Sequence, residues 1–248
     1  MIGNEKVKRF YKQVAVVAKD DEFYTITLDG RPMHSPGRAP LALPTEALAN
    51  CVAEEWREQP EESSPKDMPM TRFVNTAIDR VRPRLQEVVD EIAAYTATDL
   101  LCYRTGAPEE LTARQAAAWQ PLLEWAETRY GVAFRVTQSI MPVRQDEATL
   151  AAIRKEIGAQ DEFALSGMHS LTVVSGSIVI ALSVAEGRLE AAEAAVASLI
   201  DETYQAEKWG EDSEVAARRE SIIKEIAAAA RFLEVVLGNR NEQALKLA

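Results

Sequence analysis

Carboxylates are the side chains of this 248-residue chain whose spacing points most directly to chemistry. Leu85, Val88, Ile92, Tyr95 and Asp99 follow 3-4-3-4 spacing, so an apolar helical stripe ends on an acid. A carboxylate aimed into a helix–helix seam is costly unless it is paired. It serves either as a perturbed general acid or base or as half of a buried ion pair. The ion pair is the simpler expectation, with Arg72, Arg104 or Arg114 as the partner. Arg72, Asn75 and Asp79 stand at i, i+3 and i+7, opposite Phe73, Ala77 and Val81. That pattern predicts a polar network of Arg72, Asn75, Asp79 and Asp99 fastening helices together. The enzymatic alternative places Asp79 and Asp99 with an arginine in an interdomain cleft.

Other chemistries lack their residues. Neither G-x-G-x-x-G nor a glycine-lysine phosphate loop occurs, and no G-x-S-x-G elbow marks a serine hydrolase. His34 and His169 are far apart and lack an i,i+4 partner for a zinc pair. Cys51 and Cys102 are too few for a disulfide framework and read as reduced, buried thiols. No catalytic group, cofactor, metal or nucleotide is therefore expected.

Charge points toward protein partners. The net charge of −11 repels phosphate backbones, which argues against nucleic acid. Acidity is concentrated: Asp201 to Glu214 holds six acids against one lysine. Within it, Trp209 stands beside Gly210 between acidic clusters. That ring either closes a helix end against its own bundle or anchors a protein interface, where tryptophan is enriched and acids steer a basic partner. The candidate partner-binding residues are Glu202, Glu207, Lys208, Trp209, Asp212 and Glu214.

The elements that must position these groups fall into two textures. Tyr24, Ile26 and Leu28 alternate with Thr25 and Thr27, the period of a half-buried strand. The valine-rich run from Tyr11 to Ala18 precedes it, with Lys19-Asp-Asp-Glu22 as the hairpin turn. Asp29-Gly30 supplies a second tight turn, and Pro32 and Pro36 confine the next strand to an edge. Thr45 is set to cap a helix carrying Leu48, Val52 and Trp56. Three prolines between Gln59 and Pro69 then read as a linker, which places the domain boundary at residue 66. Beyond it, helical period recurs in Trp119, Leu122, Leu123 and Ala126, in Leu189, Ala192, Val196, Leu199 and Ile200, and in Ile222, Ile223, Ile226, Leu233 and Leu237. The expectation is an α+β chain: a small β-rich domain with one helix over 1–66, and a larger helical, bundle-like domain over 67–248.

Two segments bear on location. Met1 to Lys12 has no apolar run and is not read as a secretory signal. Phe163 to Ala185 carries no Asp, Glu, Lys or Arg, but nine of its 23 residues are Ser, Thr, Gly or His. It reads as a buried core segment of a soluble protein rather than a membrane span.

A series of strings also carries a resemblance. They are Arg9-Phe-Tyr-Lys12, Leu28-Asp-Gly-Arg-Pro32, Leu43-Pro-Thr45, Glu55-Trp56 and Met68-Pro-Met-Thr-Arg-Phe-Val-Asn-Thr-Ala-Ile-Asp79. Thr98-Asp-Leu-Leu-Cys-Tyr-Arg104, Arg114-Gln115, Trp119-Gln-Pro-Leu-Leu-Glu-Trp125 and Tyr204-Gln-Ala-Glu-Lys-Trp-Gly210 follow in order. Together they resemble the assembly chaperone family that acts on the α subunit of the F-type ATP synthase catalytic head. The resemblance spans residues 8 to 235. It implies a small β-containing domain before a larger helical one, and binding of the free α subunit to prevent aggregation before assembly with β. Mitochondrial members work in the matrix; without a transit-like extension, this chain resembles a bacterial cytoplasmic member. Glu211-Asp-Ser-Glu-Val215 is an acidic version of a stretch in which the family varies.

Overall fold

The computed structural model describes residues 7–19, 23–63, 67–139 and 141–247. The chain is α+β, with short antiparallel strands near its start and helices over most of the remainder. It divides into two compact units. The first runs up to Leu85 and also includes Glu162–Ser166 and the chain from Glu234 onward; the second comprises Gln86–Asp161 and Gly167–Leu233.

In the first unit, β2 (Val14–Lys19) pairs antiparallel with β3 (Phe23–Leu28), with Val14 opposite Leu28 and Lys19 opposite Phe23. The expected hairpin turn lies outside the described residues apart from Lys19. Asp29 and Gly30 both take positive φ (48° and 77°), the conformation a two-residue turn needs, and lead into β4 (Arg31–Pro32) on the far side of β3. A separate antiparallel pair joins β1 (Val7–Lys8) to β5 (Glu62–Ser63).

The first helix, α1 (Glu46–Glu58), starts as the sequence predicts: Thr45 Oγ1 accepts from Leu48 N at 3.2 Å. It buries Leu48, Ala49, Val52 and Ala53, while Trp56 is half-buried and donates through Nε1 to Thr71 Oγ1 at 3.0 Å. Its last carbonyls receive Arg9, which donates to Arg57 O at 3.1 Å and Gln59 O at 2.9 Å; a cation there complements the helix dipole.

The segment α2 (Pro69–Thr76) lacks a local side-chain cap. Glu55 of α1 supplies one, accepting from Met70 N at 2.7 Å, Thr71 N at 2.8 Å and Thr71 Oγ1 at 2.7 Å. Burial raises the Glu55 pKa, and those three donors oppose the shift. This anchoring explains why the first unit continues to Leu85. The expected boundary at 66 follows a change of composition, and that residue lies outside the described ones.

In the second unit, α3 (Leu85–Ala94, from Gln86 on) is followed by 3₁₀ turns at Tyr95–Ala97 and Leu100–Cys102. Then come α4 (Glu109–Tyr130), α5 (Glu147–Gly158), α6 (Glu162–Ser175, from Gly167 on), α7 (Ile178–Ala185), α8 (Ala191–Ser198), α9 (Ile200–Trp209) and α10 (Ser213–Leu247, up to Leu233). The uncharged segment expected in the core forms α6 and α7, parted at Gly176 (φ 71°). Every residue from Ile178 to Ser183 is buried. Among the described residues, no helix is long and apolar enough to cross a membrane. Gly167 is required by close packing: a Cβ there would lie 2.9 Å from Leu233 Cγ and 3.1 Å from Phe232 Cδ1.

One expected helix is broken. The period from Leu189 to Ile200 predicts a continuous stripe, yet α8 ends at Ser198 and α9 starts at Ile200. Trp119 Nε1 donates to Ala197 O at 2.7 Å and so takes up an acceptor at the end of α8. Ala194, Ala195 and Ala197 are buried, whereas Val196 is 68% exposed. Small residues admit close approach of α4, and the stripe shifts accordingly.

Candidate functional site

The carboxylate reading is corrected by where its residues lie. Asp99 does not continue the α3 stripe, because the helix ends at Ala94 and Asp99 caps the following 3₁₀ turn. It is fully buried, but among the described residues no arginine pairs with it. Its Oδ1 accepts from Leu101 N at 2.9 Å and its Oδ2 from Val179 N at 3.0 Å. Ser177 Oγ donates to the carboxylate at 2.8 Å and in turn accepts from Ile180 N at 3.1 Å. The acid therefore closes the N-terminus of α7, where unpaired N–H groups and the helix dipole favour negative charge. Burial pushes its pKa up to about 6, against the lowering effect of these donors.

Asp79 belongs to the first unit and has a different set of partners. A π-helical turn, Ala77–Val81, follows α2, and its Asp79 accepts from Ser35 Oγ and from Gly37 N at 2.7 Å. A Cβ at residue 37 would fall 2.7 Å from Asp79 Oδ1, so glycine is needed for that approach. The guanidinium of Arg72 lies 4.5 Å from the Phe73 ring centroid. Asn75 is half-buried. Asp79 and Asp99 thus have different partners, each within its own unit.

The nucleophile candidates are also quiet. Burial pushes the Cys102 thiol up to about 12, away from the reactive thiolate, and Cys51 is only half-buried rather than buried. His34 is exposed, and His169 Nε2 lies 3.6 Å from Glu91 Oε2. Among the described residues, no group of three His, Cys, Asp or Glu could hold a metal.

The end of α9 is built differently. Lys208 Nζ lies 2.7 Å from Glu110 Oε2, Arg114 Nη1 2.7 Å from Glu207 Oε2, and Arg114 Nη2 2.8 Å from Glu110 Oε1. Signs alternate from α4 to α9 and back. Both cations cover the ring of buried Tyr204, at 5.4 Å for Arg114 and 5.1 Å for Lys208. Hydrogen bonding to Lys208 leads the causes that hold the Glu110 carboxyl below its usual range, with the charges of Lys208 and Arg114 adding to it. Beneath this pair lattice, buried Gln115 donates to Asp201 Oδ1 at 2.7 Å and accepts from Thr105 N at 2.9 Å. Helix α9 is clamped to α4 at both ends.

Past the clamp the chain turns outward. Trp209 is 78% exposed, so its indole does not fold back against the helices. Gly210, at φ 80°, ends α9 in a conformation natural to glycine. Asp212 Oδ1 then accepts from Glu214 N and Val215 N, both at 2.9 Å, and caps α10. Of the six candidate partner-binding residues, Glu207 and Lys208 are engaged with α4, and Asp212 is a helix cap. Glu202, Trp209 and Glu214 are exposed. Sequence reasoning missed Glu110, Tyr204 and Gln115 and considered Arg114 only as a partner for Asp99. The i,i+4 spacing of Glu110 and Arg114 was the available signal.

The profile of the ATP12 chaperone protein family matches residues 8–127. The mitochondrial protein atp12 of Schizosaccharomyces pombe is 26% identical over 215 residues, covering 82% of this chain and 74% of its own length. The crystal structure of Atp12 from Paracoccus denitrificans is 39% identical with a TM-score of 0.88, covering 92% of this chain and 97% of that one. A chaperone candidate from Agrobacterium tumefaciens gives the same identity and TM-score over 93% of this chain and 87% of its own.

Proposed function

Because the chain belongs to the ATP12 chaperone family, which serves ATP synthase assembly, we propose that its client is the free α subunit of the F-type ATP synthase catalytic head. The protein holds that subunit before it joins β and keeps its exposed surface from aggregating. The client-facing surface includes the end of α9, with Trp209 as the apolar anchor and Glu202 and Glu214 as steering charges. One observation carries this reading: a tryptophan 78% exposed at the tip of a helix that ion pairs fasten to α4. A large side chain held open in that way is ready to bury area without first being ordered. The role is non-enzymatic and needs no cofactor or nucleotide, so calorimetric titration with Mg-ATP is expected to give no saturable heat. The site of action is the bacterial cytoplasm, corresponding to the matrix for mitochondrial relatives.

The test follows aggregation of purified α subunit by light scattering with wild type, Trp209→Ala and a Glu202→Gln/Glu214→Gln variant. Trp209→Ala is expected to melt like wild type and lose most of its protection. The double variant should slow association and weaken its salt dependence. Wild-type protection by both variants would remove this surface from the account.

A further inference from the structure

The β2 edge of the three-stranded sheet carries an inference that rests on the client reading. We propose that β2 is a docking strand, which receives an extended, uncharged apolar segment of the client as an added strand of the sheet.

The hydrogen-bond directions make the case. Asp29 N donates to Gln13 O at 2.9 Å, which fixes residues 13 and 29 as a hydrogen-bonded pair of the antiparallel ladder. Pairs alternate, so Ala15, Val17 and Lys19 also exchange bonds with β3, and Val14, Val16 and Ala18 do not. The other edge of β3 agrees. Tyr24 exchanges bonds with Leu43 at 2.8 Å in both directions, and Ile26 O accepts from Met33 N at 2.8 Å. These residues face away from β2, and their register partners are Ala18 and Val16. The N–H and C=O groups of Val14, Val16 and Ala18 therefore point outward, and among the described residues none has a backbone partner.

Such an edge is usually protected by proline, a bulge or inward charge. Here the run Val14-Ala-Val-Val-Ala18 has no proline or charge, and its six-residue register with β3 is unbroken. Ala15, Ala18 and Lys19 are exposed, and Val17 is 40% exposed. The strand is also held in place at its start. Asp29 Oδ1 accepts from Lys12 N at 3.1 Å and Gln13 N at 2.8 Å. An array of three outward donor–acceptor residues is matched only by another extended backbone, and the uncharged run Val14–Ala18, between Gln13 and Lys19, favours an uncharged segment beside it.

The probe is a capped six-residue peptide of alternating Val and Thr, with a twin whose alternate amides are N-methylated. Residue-resolved hydrogen exchange is read on the full chain. Free protein should exchange slowly at Ala15, Val17 and Lys19 and fast at Val14, Val16 and Ala18. The peptide should slow the fast set by about tenfold or more, and the twin should not. Outward amides already slow in the free chain would overturn the proposal, through a second copy if the slowing depends on concentration and through the chain's own cover if it does not. An unchanged pattern at millimolar peptide would also overturn it. The same experiment with the α subunit separates the two readings. If it binds and leaves β2 unchanged, the docking strand fails and the client stands; if it does not bind while the peptide does, the client fails and the docking strand stands. Ala18→Pro, which removes an outward donor at an exposed position, should keep the fold and abolish peptide binding.

Discussion

Two polar clusters join helices in the second unit, and they obey different physics. Around Asp99 the charge is fully buried, and its compensation comes from backbone N–H groups, a serine and a helix terminus. Between α4 and α9 the charges are compensated by one another, at 38% to 47% side-chain exposure for Glu110, Arg114, Glu207 and Lys208. Water screens the second cluster and cannot reach the first. Burial therefore makes Asp99 a determinant of stability, whereas exposure makes the α9 end a place where a partner can act.

The largest break in this contrast should come from Asp99→Ala. Leu101 N, Val179 N and Ser177 Oγ would each lose a buried acceptor. With about 1–3 kcal/mol for each of these stranded donors, urea denaturation should show a loss of about 3 kcal/mol or more. Next comes pH. The Asp99 pKa is raised in the folded state from 3.8 to about 6, so its ionised form is disfavoured there relative to the unfolded chain. Its contribution is fully present below about pH 3.8 and is lost as pH rises through 6. Measured against Asp99→Asn, which does not titrate, wild type should lose on the order of 2–3 kcal/mol across that window. A flat difference would mean that the donors hold the carboxylate charged at no cost.

At the α4–α9 clamp, Glu110→Gln should shift the melting temperature only slightly, and 1 M salt should erase the shift. A large, salt-independent loss would show that the clamp behaves like the Asp99 cluster. The smallest stability effect belongs to Trp209→Ala, within about 0.5 kcal/mol of wild type by chemical denaturation. Against that near-silence, any loss of client protection is a pure surface effect.

Much of the fold was legible locally. The β3 alternation, the Asp29-Gly30 turn and the Thr45 cap depend on neighbours two to four residues away, which periodicity records. Asp99 shows the limit. Its spacing matched a helical stripe, but the helix ended at Ala94. The donors that hold it include Ser177 and Val179, 78 and 80 residues further along. An arginine was the natural guess because side-chain chemistry is visible in sequence and free backbone N–H groups are not. Similarly, the Trp119 indole that donates to Ala197 O at the end of α8 acts across 78 residues.

The sequence by itself determined the α+β division, the acidic character of the α9 end, the absence of a phosphate loop and the strings that mark the family, since composition, local period and short motifs are properties of the chain alone. Only the tertiary structure decided that Asp79 and Asp99 are separate anchors, that Glu207 and Lys208 clamp α9 while Trp209 stands open, and that β2 is an edge. Burial, ion pairing and edge position depend on what distant segments place beside a residue, and no local period encodes that.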